Sequence, residues 1–159
     1  MSTQAKLPLE RTWSIGSFAS YRKNQWSPRE MAQFNTVQDF WACANRTIFN
    51  KKAYFAELWF FEQGLVPEWS LIKNKDNPQL SEFIIKNAND EIIMDCLLEL
   101  IGETLPFSES VRGLRVKNIR RGKEVRFWIS GYKNVDIISN HVKKEFERWK
   151  GIEFNRTDF

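Results

Sequence analysis

Cysteine is scarce. Two occur in 159 residues, Cys43 and Cys96, too few and too far apart for a disulfide framework or a cysteine-built zinc site. That fits a reducing intracellular compartment, and a cytoplasmic protein is expected. No apolar run approaches the roughly 18 residues that a membrane-spanning helix needs. The opening stretch MSTQAKLPLERTW has no apolar core of a secretory signal. Histidine occurs once, as His141, inside a helical pattern that suits a structural place better than a catalytic one. The patterns HExxH, GxSxG, GxGxxG and the P-loop are all missing. No paired carboxylate, metal cluster or activated nucleophile is readable. An enzyme, a resident metal and a cofactor are therefore not expected.

What is present is a globular composition. Hydrophobic residues make up 42% and charged residues 28% of a chain long enough for one core. The net charge of +4 favours a polyanionic partner only weakly. Seven tryptophans weigh more, because usual usage is about one per hundred residues. Together these features fit a binding protein.

Apolar periodicity divides the chain. Residues 1–8 read as a flexible tail and 9–159 as one domain. LERTWSIGSF (9–18) reads as a strand. YRKNQWSPRE (21–30) reads as a polar loop carrying Trp26, and MAQFN as a short strand. Thr36 opens a short helix with Asp39 three residues on, as in a capping box. Strands follow at AELWFFEQG (56–64) and QLSEFIIKN (79–87), separated by a loop rich in Pro, Asn and Lys.

NDEIIMDCLLELIGE (89–103) reads as a helix stopped by Gly102. Its acids Glu91, Asp95 and Glu99 form a stripe facing water. VRGLRVKNIRR and KEVRFWISGY form a hairpin joined by a Gly-Lys turn. NVDIISNHVKKEFERWKG (134–151) is an amphipathic helix with Val135, Ile138, Val142, Phe146 and Trp149 along its apolar stripe. IEFNRTDF is a last strand. The pattern predicts an α+β domain: a mainly antiparallel sheet with about three helices on one face.

Trp26 and Trp69 fall in loops, near a basic cluster of Arg115, Lys117, Arg120, Arg121, Lys123 and Arg126. Two exposed indoles sandwich a planar base, and a cationic base gains about 0.5–2 kcal/mol per face. Neighbouring Arg and Lys hold attached phosphates. The plainer alternative stays open on spacing alone: a tryptophan in a domain this size is most often core, and a basic hairpin most often a solvated face.

Several stretches resemble the translation initiation factor 4E family, the messenger RNA cap-binding proteins. NTVQDFWACANR is similar to the family helix with TVEDFW. LPLERTW is similar to its HPLxxxW entry strand, and FFEQGLVPEWSLIKNK to LFKDGIxPxWEDxxNK. LLELIGETL is similar to LLCLIGExF, and VRGLRVKNIRRGKEVRFWIS to the hairpin VxGxVVxxRxxxxKIxIW. The order and approximate spacing hold from Leu7 to about Trp149.

The resemblance implies a cupped antiparallel sheet backed by three helices on its convex face, with the cap in the concave one. It assigns the sandwich of 7-methylguanine to Trp26 and Trp69, and a place near the N7-methyl group to Trp128. It assigns the cap phosphates to Arg120, with Lys123 or Arg126 standing in for a family lysine whose aligned position holds Glu124. On the convex back it assigns a partner-binding patch to Val37, Trp41 and Met94, with Pro8 at its edge and Asp95 and Leu98 alongside. The implied partners are the capped 5′ end of messenger RNA and a scaffold of the initiation factor 4G type or a 4E-binding protein. A monomer is expected.

The chain departs from the pattern at Ser70, where the family has a glutamate that binds the guanine edge. Losing that charged contact costs about 1.5–3 kcal/mol. Glu68 precedes Trp69 and is expected to point elsewhere. Leu80 and Ile93 replace family tryptophans at structural positions, and Asn77-Pro78 replaces a glycine pair. The family's long final loop has no counterpart after Phe159. Two functions remain open at this stage. One is a cap-binding initiation factor. The other is a degenerate interaction module or translational repressor that reads caps weakly or differently.

Overall fold

The computed structural model of the protein describes residues 5–22, 25–52, 55–68, 79–120 and 122–159, and side chains for all of these except 19–22 and 25–26. Along the chain run β1 (Pro8–Arg22), β2 (Gln25–Thr36), α1 (Val37–Arg46), β3 (Glu57–Glu62), β4 (Leu80–Ala88) and α2 (Asp90–Gly102). A 3-10 turn at Ser108–Ser110 leads into β5 (Val111–Ile119), β6 (Gly122–Ser130), α3 (Tyr132–Phe146) and β7 (Glu153–Asp158). The strands form one curved sheet in the order β2-β1-β3-β5-β6-β4-β7, antiparallel at every step.

Strand alternation sorts the side chains onto two faces. Leu58 and Phe60 of β3, Phe83 and Ile85 of β4, Leu114 and Val116 of β5, and Val125, Phe127 and Ile129 of β6 share the main core with the helices. The helices contribute Phe40 and Ala44 of α1, Ile92, Cys96 and Leu100 of α2, and Val135, Ile138 and Val142 of α3. Fully burying one such large side chain contributes about 1.5–3 kcal/mol, so this face fixes the fold. Trp59, Phe61, Leu80 and Trp128 point the other way and form a second, smaller cluster. The three helices thus cover the convex face, and the concave face carries an aromatic floor. Leu80 and Ile93 are buried, so the exchanges from tryptophan at both positions remain apolar packing.

Two glycines let that floor lie close to the strands. A Cβ on Gly16 would overlap the Trp59 indole and the Arg29 carbonyl. One on Gly113 would overlap the Phe61 ring and the Phe60 carbonyl. The Trp59 indole then donates through Nε1 to the Ser17 carbonyl at 2.9 Å.

Helix α1 begins as its sequence predicts: the Asp39 backbone N–H donates to Thr36 Oγ1 at 3.1 Å. The Asp39 carboxylate turns to Lys6 Nζ at 2.9 Å, and that bond, with Thr36, holds it below its ordinary value. Leu7 is tied as well, its N–H donating to Gln38 Oε1 and its carbonyl accepting from the Val37 N–H.

Elsewhere the elements differ from expectation. The polar stretch 21–30 is not a loop: β1 runs to Arg22, and β2 starts at Gln25 and absorbs the short strand expected at MAQFN. The β5–β6 turn is not Gly-Lys: Ile119 pairs with Gly122, and Gly122-Lys123 already belongs to β6. Helix α2 does end at Gly102, but the left-handed residue is Glu103, with φ of 54°. The Thr104 N–H reaching back to the Glu99 carbonyl holds it there. Helix α3 spans 132–146, so Trp149 packs on the core from beyond its end.

The acidic stripe of α2 does not face water throughout. Glu91 is exposed, but Asp95 and Glu99 are half-buried, because α3 lies alongside. Burial first, then Glu145 and Asp95, push the Glu99 carboxyl up to about 9. Glu91 and Asp95 on α2 and His141, Glu145 and Arg148 on or just past α3 are the titratable and charged groups around this carboxyl.

The folded chain therefore keeps a proton that the unfolded chain releases near the ordinary value of 4.5. Stability from this group should fall as pH rises from about 4.5 towards 9. In buffer containing a chelator, Glu99→Gln is expected to raise the urea midpoint at pH 8 and to leave it nearly unchanged at pH 5. A gain of equal size at both pH values would contradict this origin.

Candidate functional site

The concave face holds a cavity of about 520 Å³. Its floor comes from Trp128 and Arg126 of β6, Arg115 of β5 and Glu82 of β4, and its rim from Phe18, Pro28, Pro67 and Phe159. Strand alternation brings these groups together: Arg115 and Arg126 are register partners on adjacent strands, as are Glu82 and Trp128. Trp128 is only 2% exposed. Its ring meets the Phe61 ring edge-on at 5.3 Å and lies 5.4 Å from Phe159, and its Nε1 donates to Glu82 Oε2 at 2.7 Å.

Glu82 is the centre of the charge network on the floor. Its carboxylate accepts from Arg126 at 2.8 Å and from Arg115 at 3.4 Å as well as from the indole. Arg126 also donates to Glu124 from two nitrogens, at 2.7 and 3.0 Å. Burial alone lowers the affinity of the Arg126 guanidinium for its proton, but Glu124 and Glu82 more than offset it, and the group stays above its ordinary value. Arg115 pairs in addition with Glu57 at 2.5 Å. Removing Glu82 from such a network would leave two half-buried cations short of a partner. The floor is rigid and close to charge-balanced.

A second cavity, of about 560 Å³, adjoins the first through Phe18 and Arg115 and continues past Lys117, Asn118 and Phe55. Lys117 is exposed and, among the described residues, has no ion pair.

The basic cluster read from the sequence is divided by the sheet. Arg115, Lys117 and Arg126 line the concave side. Arg120 and Lys123 line a different cavity, of about 630 Å³, on the helix side with Thr47, Phe49 and Asp90, and Lys123 Nζ bonds Asp90 Oδ1 at 3.0 Å. The three candidate phosphate ligands, Arg120, Lys123 and Arg126, are thus not brought together.

Trp69 and Ser70 lie outside the described residues, as does the Trp26 side chain. Their chain neighbours do not. Ser27 and Pro28 follow Trp26, Pro67 and Glu68 precede Trp69, and all four line the cavity that holds Trp128. Trp26 pairs through its backbone with Ser20 in the β1–β2 hairpin. Glu68, expected to point elsewhere, contributes to this cavity.

Sequence reading missed Glu82. The signal was a single acid inside the apolar run LSEFII, at a position whose neighbours Phe83 and Ile85 are core; a lone acid there must find cations on the opposite face.

On the convex side, Val37 and Trp41 are half-buried one turn apart on α1. Trp41 packs beside Phe40 with ring centroids 5.2 Å apart. On α2, Met94 and Asp95 are half-buried and Leu98 is 37% exposed. Pro8 is exposed at the start of β1.

Among the described residues, no helix is long and apolar enough to cross a membrane. A family model described as Eukaryotic initiation factor 4E matches residues 8–157. Eukaryotic translation initiation factor 4E of Xenopus laevis is 26% identical over 155 residues, covering 92% of this chain and 72% of that protein. The Homo sapiens protein of the same name is 25% identical over 155 residues, covering 92% and 71%. Among solved structures, C. elegans eIF4E-3 in complex with the 4E-binding protein Mextli and a cap analog shares the fold with a TM-score of 0.76 at 18% identity, over 95% of this chain and 92% of that one. Ascaris suum eIF4E-3 with the m2,2,7G cap gives 0.75 at 21% identity, over 95% and 91%.

Proposed function

The chain belongs to the eukaryotic initiation factor 4E family, and on that premise we propose that it is a translation factor that binds the 7-methylguanosine cap of messenger RNA and performs no chemistry of its own. The observation that carries this reading is one concave cavity to which the chain neighbours of Trp26, the chain neighbours of Trp69, and Trp128 all contribute. Trp26 and Trp69 stack on the two faces of the base, with planes roughly 7 Å apart when it is bound. Trp128 borders the methylated edge. Arg126 and Arg115 in the cavity, and Lys117 beyond it, meet the phosphates. On the convex side, Pro8, Val37, Trp41, Met94, Asp95 and Leu98 receive a 4G-type scaffold or a 4E-binding protein; the C. elegans relative is held by such a protein. Loss of binding to a scaffold peptide in Trp41→Ala, with 7-methylguanosine triphosphate binding unchanged, tests the division between the two faces. Equal loss of both would mean that Trp41 only supports the fold.

A specific observation favours a weaker or altered grip on the cap as the second reading. Arg115 and Arg126 are already paired with Glu57, Glu82 and Glu124, and Ser70 offers no charge to the guanine edge. Stacking still prefers a cationic, methylated base, whereas phosphate contacts do not distinguish bases. The methylated cap is therefore expected to bind ahead of GTP, with poor discrimination against other purines.

Ser70→Glu is expected to raise affinity for the methylated cap by up to about tenfold, equivalent to 1.4 kcal/mol. If it does not, and Glu68→Gln lowers affinity instead, Glu68 already fills the acidic role from the cavity wall. Tight, guanine-selective binding that neither substitution alters would contradict this account of selectivity.

A further inference from the structure

We propose that Glu99, His141 and Glu145 form a site for one divalent cation of the zinc type between α2 and α3, on the side of the sheet away from the proposed cap site. The three residues come from two helices: His141 and Glu145 stand one turn apart on the same face of α3, and Glu99 reaches them from α2. His141 Nε2 is 3.7 Å from Glu99 Oε1 and 3.6 Å from Glu145 Oε2. One ligand atom from each residue lies within 4.8 Å of the other two. Donors on a tetrahedral zinc ion, at about 2.0–2.1 Å from the metal, sit about 3.3 Å apart. The two histidine distances therefore need to close by only a few tenths of an ångström.

The two carboxyls face each other, and Glu99 Oε2 and Glu145 Oε2 are sealed from solvent with no hydrogen bond to any other group. Two acids packed together with orphaned oxygens are costly unless a proton or a cation joins them. One imidazole nitrogen with carboxylate oxygens suits zinc, whereas magnesium prefers oxygen alone. His141 is 43% exposed, which gives the ion a route in and leaves its fourth position to water. The sequence hid this set because Glu99 and His141 lie far apart in the chain and meet only when α3 packs along α2.

The test is calorimetric titration of ZnCl2 into chelator-stripped protein at pH 7.5. The expected result is one ion per chain, no comparable binding of MgCl2, and a loss of at least about tenfold in affinity in His141→Ala and in Glu145→Gln. Cys43→Ser, which removes the half-buried thiol of α1, should leave binding unchanged. Circular dichroism checks that each variant stays folded; His141 is exposed enough for alanine to be tolerated. Absence of stoichiometric zinc binding, binding that persists in His141→Ala, or binding that disappears in Cys43→Ser would each overturn the proposal.

Discussion

Trp69→Ala is expected to lower affinity for 7-methylguanosine triphosphate by about tenfold or more, and Trp26→Ala by a similar factor. Stacking of a base on an aromatic ring contributes about 1–3 kcal/mol, and a cationic base adds its attraction to the π face. Because the second effect acts only on the methylated base, each substitution should also shrink the preference for the methylated nucleotide over GTP. Both indoles are expected to matter because the residues beside them line one cavity. Fluorescence or calorimetric titration of the two variants measures the loss. A variant that binds the methylated nucleotide like the unaltered chain would remove that indole from the site.

The second large effect concerns the floor beneath the base. Gly113→Val should destabilise the fold by about 3 kcal/mol or more, although valine favours strands in general. The reason is local: a Cβ at this position has no room, since Phe61 and the Phe60 carbonyl already occupy its place. Phe61 in turn packs on Trp128, so the variant that remains folded should also bind the cap analogue less well. Gly102→Ala is the contrasting control. A Cβ there meets Thr104 at an ordinary 3.8 Å, and removal of a helical glycine should contribute about 0.5–1 kcal/mol of stability. Urea unfolding separates the two cases by the sign of the midpoint shift at constant slope. A Gly113→Val midpoint within error of the unaltered chain would mean that Phe61 moves aside freely.

The helices were legible in the sequence because their signals are local. Thr36 as a cap and the stripe Val135, Ile138, Val142 and Phe146 need no knowledge of distant residues, and they lie where the pattern put them. Strand β2 was legible only at its MAQFN end. It stands at the edge of the sheet, beside β1, so much of it stays exposed and polar. An edge also tolerates Pro28, which reads as a loop signal from sequence alone.

The site was legible in part. Aromatic and basic residues pointed to a nucleotide, and the family motifs pointed to the cap. The division of the basic cluster by the sheet was not visible, because the pairing of Ile119 with Gly122 sets which of the later residues face the cavity. Glu82 escaped for a related reason: its partners Arg115, Arg126 and Trp128 lie 33, 44 and 46 residues away in sequence. The acidic stripe of α2 misled because periodicity shows which residues share a face, not what packs against it.

The central claim, that the concave cavity lined by Trp128 and by the chain neighbours of Trp26 and Trp69 reads a methylated cap, is tested most directly by titrating the unaltered protein with 7-methylguanosine triphosphate and with GTP, following intrinsic tryptophan fluorescence. The account predicts a saturable quench, tighter for the methylated nucleotide, that weakens as salt is raised because phosphate contacts contribute. A missing saturable quench up to about 1 mM nucleotide, a floor near −4.1 kcal/mol of binding free energy, or equal affinity for the two nucleotides, would contradict it.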